Sequence, residues 1–480
     1  MKKSLSRIGC IVALAFAAAS PAWAQVPTVS DLVDNNRAFL KLDRTNTNLG
    51  ASFNMHFIDT VTVNGVIKAY YIRNINGHLG VGLAESTDGV TFVDKGPVLE
   101  SGAAGSPDSI MASFPGVWYE NGTYYMVYES TGTGYIAPNI GLATSTDGKT
   151  FTKKGLILRF DTRPDPIDPN KPGWESRGIG TPSIYKENGI WYVFYHGFDG
   201  TVCQIGMAKG TDLMALQKVS TNPVIRTVPG TPEAGTAGRR KVIKQNGAYY
   251  MVYEVSDAIG SNGTYQHSRW SSAFARSSNL TTWTKFRQNP ILPQTDNTTA
   301  VDSFGNDGPA FLNVGGRDYV YYRIDAMSPV TRRALVANEQ YGGFDRSWTM
   351  TAAGIGHNIG RADGDGWSAN MTQDTPGYLQ FGPYYAGLPE GDHIATWSFM
   401  IDNNTSDDAD QLRLEIVDVD NNYAVLHQRT VTRKQFKQTG RYEYFSLPFH
   451  VTPAMLNHRL EYRVYWHGRA FIREGKVGLS

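Results

Sequence analysis

The sequence predicts an all-β protein, a five-bladed β-propeller followed by a β-sandwich of jelly-roll type, on three observations. A tyrosine-rich pattern recurs as Asn121-Gly122-Thr123-Tyr124-Tyr125-Met126-Val127-Tyr128, Asn188-Gly189-Ile190-Trp191-Tyr192-Val193-Phe194-Tyr195 and Asn246-Gly247-Ala248-Tyr249-Tyr250-Met251-Val252-Tyr253. The 26 Tyr, 10 Trp and 50 Gly suit aromatic strands joined by tight turns. From about Gly354 the repeat is lost and plain alternation of apolar and polar residues takes over.

In chain order, Met1-Lys2-Lys3, an apolar run from Ile8 to Ala19 and Ala22-Trp23-Ala24 have the layout of a secretory signal peptide spanning 1–24. The expected location is therefore the periplasm or the extracellular medium. Cleavage removes Cys10 and leaves Cys203, so no intrachain disulfide is expected. The propeller is assigned to 25–350 and the sandwich to 354–480. The 45 basic and 44 acidic residues are spread evenly, which argues against a nucleic-acid partner. No apolar run after the signal reaches the ~20 residues of a membrane span.

Each copy of the pattern is an Asn-Gly hairpin turn entering a second strand. Looser copies run through Asn64-Gly65 to Tyr70-Tyr71-Ile72 and through Gly315-Gly316 to Tyr321-Tyr322, which makes five units. Third strands follow at Val81–Ala84 and Ile140–Ala143, then Ser-Thr-Asp-Gly turns at Ser86 and Ser145, then fourth strands such as Pro97-Val98-Leu99 and Leu156-Ile157-Leu158. Four short strands per ~60-residue unit is a propeller composition.

Counting back 21 residues from the polar residue ending each second strand gives Asp108 for Glu129, Glu175 for His196, Glu233 for Glu254 and Asp302 for Arg323. The same count from Arg73 gives Ser52, so the first unit breaks the rule. Acids at such places either cap turns or ring the central channel. If they ring it, Arg73, His196 and Arg323 share a polar pocket with them.

These features resemble the five-bladed propeller glycoside hydrolases, the group that includes families 43, 32, 117 and 130, over roughly Asn54 to Asn338. The segment from Trp174-Glu175-Ser176-Arg177 to Thr181-Pro182, leading to Tyr195-His196-Gly197, looks like the family 130 segment whose tryptophan, acid and Tyr-His-Gly line the sugar site. The resemblance implies a polysaccharide or oligosaccharide substrate. Two departures stand out. Ser52, Asn54 and His56 occupy the region where family 43 enzymes carry a general-base aspartate, with Asp59 a few residues on. Phe114 and Thr181 precede Pro115 and Pro182 where an acid is usual, and only Asp307-Gly308-Pro309 keeps that arrangement.

Glycosidic bond hydrolysis uses one carboxyl group to protonate the leaving oxygen and another, ionised, to activate water or attack carbon. Asp108 and Glu175 are the expected working pair, with Asp302 and Asp307 next. Glu233 follows, because Arg239 and Arg240 offer it an ion pair instead. Expected substrate contacts are Trp174 by stacking, and Arg177, His196, Glu129, Glu254, Arg323, Arg73, His56 and Arg240 by hydrogen bonds. No cofactor is expected; Asp363-Gly364-Asp365-Gly366 and Asp418-Val419-Asp420-Asn421 offer oxygen ligands for Ca²⁺ and read equally as turns. In the sandwich, which looks like a carbohydrate-binding module, Tyr384, Tyr385, Trp466 and His467 are either a binding surface or core. Two other functions stay open: a non-catalytic glycan-binding propeller, and a phosphorylase with an anion site at Arg239, Arg240 or Arg323.

Overall fold

The computed structural model describes residues 26–34, 39–42, 57–133, 138–165, 168–257, 270–286, 289–292, 306–324, 330–337, 346–436 and 439–479. After a short helix at Val29–Val33, the strands of the larger region are Phe39–Leu42 (β1), Phe57–Val63 (β2), Val66–Ile75 (β3), His78–Ser86 (β4), Val93–Leu99 (β5), Met111–Glu120 (β6), Thr123–Thr131 (β7), Asn139–Ser145 (β8), Thr152–Leu158 (β9) and Gly178–Glu187 (β10). They continue as Ile190–Phe198 (β11), Cys203–Gly210 (β12), Gln217–Lys218 (β13), Thr236–Gln245 (β14), Ala248–Ser256 (β15), Trp270–Ser277 (β16), Trp283–Lys285 (β17), Asn306–Val314 (β18), Arg317–Ile324 (β19) and Val330–Ala337 (β20).

The tyrosine repeats form the second strands of antiparallel units. Asn64, Asn121, Asn188 and Asn246 each take a positive φ beside a positive-φ glycine, the turn geometry whose twist matches a two-stranded hairpin. Among the described residues the strands pair into five four-stranded units: β2 to β5, β6 to β9, β10 to β13, β14 to β17, and β18 to β20 with β1. Their first strands touch in the order β2, β6, β10, β14, β18, and β18 returns to β2, which closes a ring around a channel. The all-β expectation holds.

Residues 346–479 form two further antiparallel sheets around one core that contains Trp397, Leu414, Phe445, Val464 and Trp466. Arg346–Thr349 pairs with Ile472–Leu479, so this region begins a few residues earlier than the expected 354. Trp466 is fully buried and belongs to the core rather than to a binding surface. Tyr385 packs against that core beside Trp348, His467 is half-buried against Tyr465, and Tyr384 is exposed. The two regions meet where Ile394 joins Val29, Leu40 and Val336 in one apolar cluster.

Candidate active site

Every first strand breaks register at the same level, between Phe57 and Asp59, Ser113 and Gly116, Gly180 and Ser183, Ala237 and Arg240, and Asp307 and Ala310. Such bulges bend a strand and re-aim its side chains. At their centres Phe114, Thr181 and Gly308 adopt positive φ values of 52°, 40° and 60°. For a β-branched threonine this is a strained conformation that the surroundings must hold in place.

Thr181 is held from four directions. Its N–H donates to Glu129 Oε2 at 2.8 Å, its carbonyl accepts from an Arg240 guanidinium nitrogen at 2.8 Å, and its hydroxyl accepts from another at 3.0 Å while bonding His196 Nδ1 at 2.7 Å. Arginine only donates, so the hydroxyl accepts from Arg240 and keeps its own proton and a second lone pair for its remaining partners, His196 Nδ1 among them. Burial, reinforced by Arg240 and Arg239, lowers the His196 pKa to about 3, which keeps the ring neutral.

The neighbouring carboxyls rest against bare backbone. A Cβ on Gly180 would lie 2.2 Å from Glu129 Oε2, and one on Gly238 would lie 2.4 Å from Glu254 Oε1, so a side chain at either position would displace the carboxyl. Glu254 accepts from the Arg239 N–H at 2.9 Å and from the Gly308 N–H at 3.1 Å, which ties the fourth unit to the fifth. Burial raises Glu129 to about 7 against the pull of the Thr181 N–H, Arg239 and Arg240. A carboxyl that titrates near neutrality in a channel suits proton transfer.

Three successive cations of β14 reach three different directions. The Arg239 guanidinium lies 5.9 Å from the centre of the Phe114 ring and close over Gly308. Arg240 goes to Thr181 and to the Gly238 carbonyl, and burial lowers it to about 9. Lys241 crosses to Asp59, which also accepts the Val117 N–H at 2.7 Å. Asp307 is paired with Arg323 at 3.1 Å in the fifth unit.

Asp108 and Glu175, the expected working pair, are each held by partners of their own unit. Asp108 accepts from Tyr128 at 3.2 Å and pairs with Lys153 at 2.5 Å, all within the second unit. Glu175 pairs with Lys218 beside Tyr195 in the third. Glu233 accepts from Tyr253 at 3.3 Å and pairs with Lys285 at 2.6 Å in the fourth, so Lys285 takes the place expected of Arg239 and Arg240. The equal spacing of these acids thus marks an acid–tyrosine–lysine fixture repeated in the second, third and fourth units. No hydrogen bond or ion pair joins Asp108 to Glu175 among the described residues.

Trp174, half-buried, stacks on Tyr195 at 5.7 Å and fills the space above Gly197 and Gly206. Arg177 is exposed beside Gly200, and Arg73 is held by Asp94 at 2.6 Å and by Tyr71. His56 and Asp302 lie outside the described residues. Of the turns considered for Ca²⁺, Asp363 pairs with Arg473, Asp418 with His458 and Asp420 with Arg459. Among the described residues no three acidic, histidine or cysteine side chains converge as a metal site, and no helix is long and apolar enough to cross a membrane.

Sequence reasoning missed Thr181 and Phe114 as channel residues and the lysines of the fixtures. The Thr181-Pro182 and Phe114-Pro115 steps were the available signal for the bulges, because a proline cannot supply a ladder hydrogen bond.

Comparison with known proteins completes the assignment. The 1,2-beta-oligomannan phosphorylase of Thermoanaerobacter sp. (strain X514) is 27% identical over 222 residues, which cover 43% of this chain and 62% of that relative. The chain therefore spans less than two thirds of that protein's length. Among solved structures, a thermostable family-43 glycoside hydrolase is 20% identical with a TM-score of 0.47, covering 61% of this chain and 91% of that one. The exo-beta-1,3-galactanase of Phanerochaete chrysosporium is 13% identical with a TM-score of 0.43, covering 92% and 100%. A family profile described as "Glycosyl hydrolases family 43" matches residues 56–341, more than half of the chain and the whole of the channel cluster, so the protein belongs to glycosyl hydrolase family 43.

Proposed function

We propose that the protein hydrolyses a glycosidic bond of a polysaccharide or oligosaccharide in the channel, with Glu129 as proton donor and Asp307 as the carboxylate that activates water. The observation that carries this reading is the Glu129 carboxyl, raised to about 7 at the bulge ring, where it retains a proton near neutral pH. Asp307 stands one residue before the Gly308 bulge with Arg323 at its side. His196, neutral and held at Nδ1 by Thr181, presents its other ring nitrogen to a sugar hydroxyl. Asp108, Glu175 and Glu233 serve as fixtures within their units. Export by way of residues 1–24 belongs to the same reading, and sequencing a mature N-terminus at Gln25 tests it.

The test is product release from a panel of mannans, galactans, arabinans and xylans by wild type, Glu129→Gln and Asp307→Asn. Loss of 10²-fold or more in kcat/KM for folded Glu129→Gln supports the assignment, and undiminished activity removes it. Phosphorolysis is the second reading, favoured by the oligomannan phosphorylase likeness. Against it, Arg240 is spent on the Thr181 and Gly238 oxygens and Arg323 on Asp307. A sugar phosphate formed only when inorganic phosphate is added would decide for it.

A further inference from the structure

A cleft of about 790 Å³ lies between the fourth unit and the smaller sheet of the C-terminal region. Its propeller wall is built from the chain ends around β14 to β16, including Pro232, Ala234 and Asp257, and its other wall carries Asp410, Arg413, Gln428 and Arg429. We propose that this cleft is a distal subsite for the part of a glycan chain that extends out of the channel, a proposal that rests on the glycosidase reading above.

Three observations support it. The first is position. Ala234, in the cleft, is four residues from Gly238, which faces Glu254 in the channel cluster, so at most about 14 Å of chain separates them. Asp257 stands three residues beyond Glu254 at the same end of β15. A chain leaving the channel across the fourth unit reaches the cleft within a few sugar residues.

The second is chemistry. The lining mixes acceptors (Asp257, Asp410), donors (Arg413, Arg429) and a group that does both (Gln428), over the apolar faces of proline and alanine. An anion site would not carry two acids. Vicinal hydroxyls, which donate and accept at once and leave C–H faces between them, match such a wall.

The third is preorganisation. Arg413 is fixed by Glu415 through Nε at 2.8 Å and by the Tyr465 ring at 5.0 Å, while Arg429 donates to the Ser446 carbonyl at 2.9 Å. Both guanidiniums are placed before any ligand arrives, so a ligand does not bear the cost of ordering them.

The test is calorimetric binding of oligomers of two and of six residues, drawn from the same panel, to the full-length wild type, Arg413→Ala and Gln428→Trp. Gln428 is exposed, so tryptophan there fills the cleft without disturbing the core. In wild type the six-residue oligomer is expected to bind about tenfold tighter than the two-residue one, and both variants should lose that gain while binding the shorter oligomer as before. A gain that survives in Gln428→Trp overturns the proposal, as does the absence of any gain in wild type or of binding by every oligomer. Length-dependent binding without bond cleavage would sink the hydrolase reading and leave the subsite standing.

Discussion

Arg240 of the fourth unit donates to the hydroxyl of Thr181 in the third at 3.0 Å, across the channel-facing seam between them. That hydroxyl in turn fixes His196, and the Thr181 N–H fixes Glu129. One strained residue therefore positions a neutral imidazole, a titrating carboxyl and a buried guanidinium.

Replacing Thr181 with valine keeps the shape and the backbone bonds but deletes the hydroxyl. Arg240 and His196 each lose a buried partner, and a loss of about 1–3 kcal/mol in urea-determined stability is expected. Thr181→Ser should stay close to wild type.

Glu129 binds its proton more tightly folded than unfolded, since burial raises it from 4.5 to about 7. The native state therefore holds its full advantage from this group below pH ~4.5 and loses it as pH rises through about 7, by an amount of order 3 kcal/mol. Glu129→Gln should melt above wild type at pH 8.5 and converge with it near pH 4.5, in a series of thermal melts. A constant offset across that range would contradict the titration.

Lys241→Met leaves Asp59, 1% exposed, without its cation. Breaking one side of such a buried pair costs about 3–5 kcal/mol, and adding Asp59→Asn should restore much of it. A denaturant double-mutant cycle reads this directly, with near-additivity as the contrary result.

Glu175→Gln and Lys218→Met remove either side of the third unit's fixture. Both should lower the melting temperature while leaving kcat per folded molecule within about twofold. A Glu175→Gln protein that folds as wild type yet loses 10³-fold in kcat would instead return Glu175 to the catalytic role its sequence neighbourhood suggested.

The strand order was legible because Asn-Gly turns and paired tyrosines repeat, and local turn chemistry is a short-range property. The acid spacing was legible as a repeat but not in its meaning. Asp108, Glu175 and Glu233 meet lysines 45, 43 and 52 residues further on, a separation that only the folded unit brings to hydrogen-bond distance. Glu129 and Glu254 were recognised as channel residues, whereas the elevated proton affinity of Glu129 depends on how deeply the Gly180 backbone lets it sit. Thr181 was visible only as the residue in the place of an acid, because its role comes from a bulge and three neighbouring units.

The pairing of β1 with β20 makes the fifth unit a composite of the beginning and the end of the ring. About 290 residues separate the two strands, and joining them bears the loop-closure entropy of that whole length. During synthesis β1 has no partner strand until Val330–Ala337 has emerged, so the fifth unit is completed last. The ring is thus a clasp, and a chain cut short ahead of residue 330 retains every fixture of its finished units while having nothing to fasten.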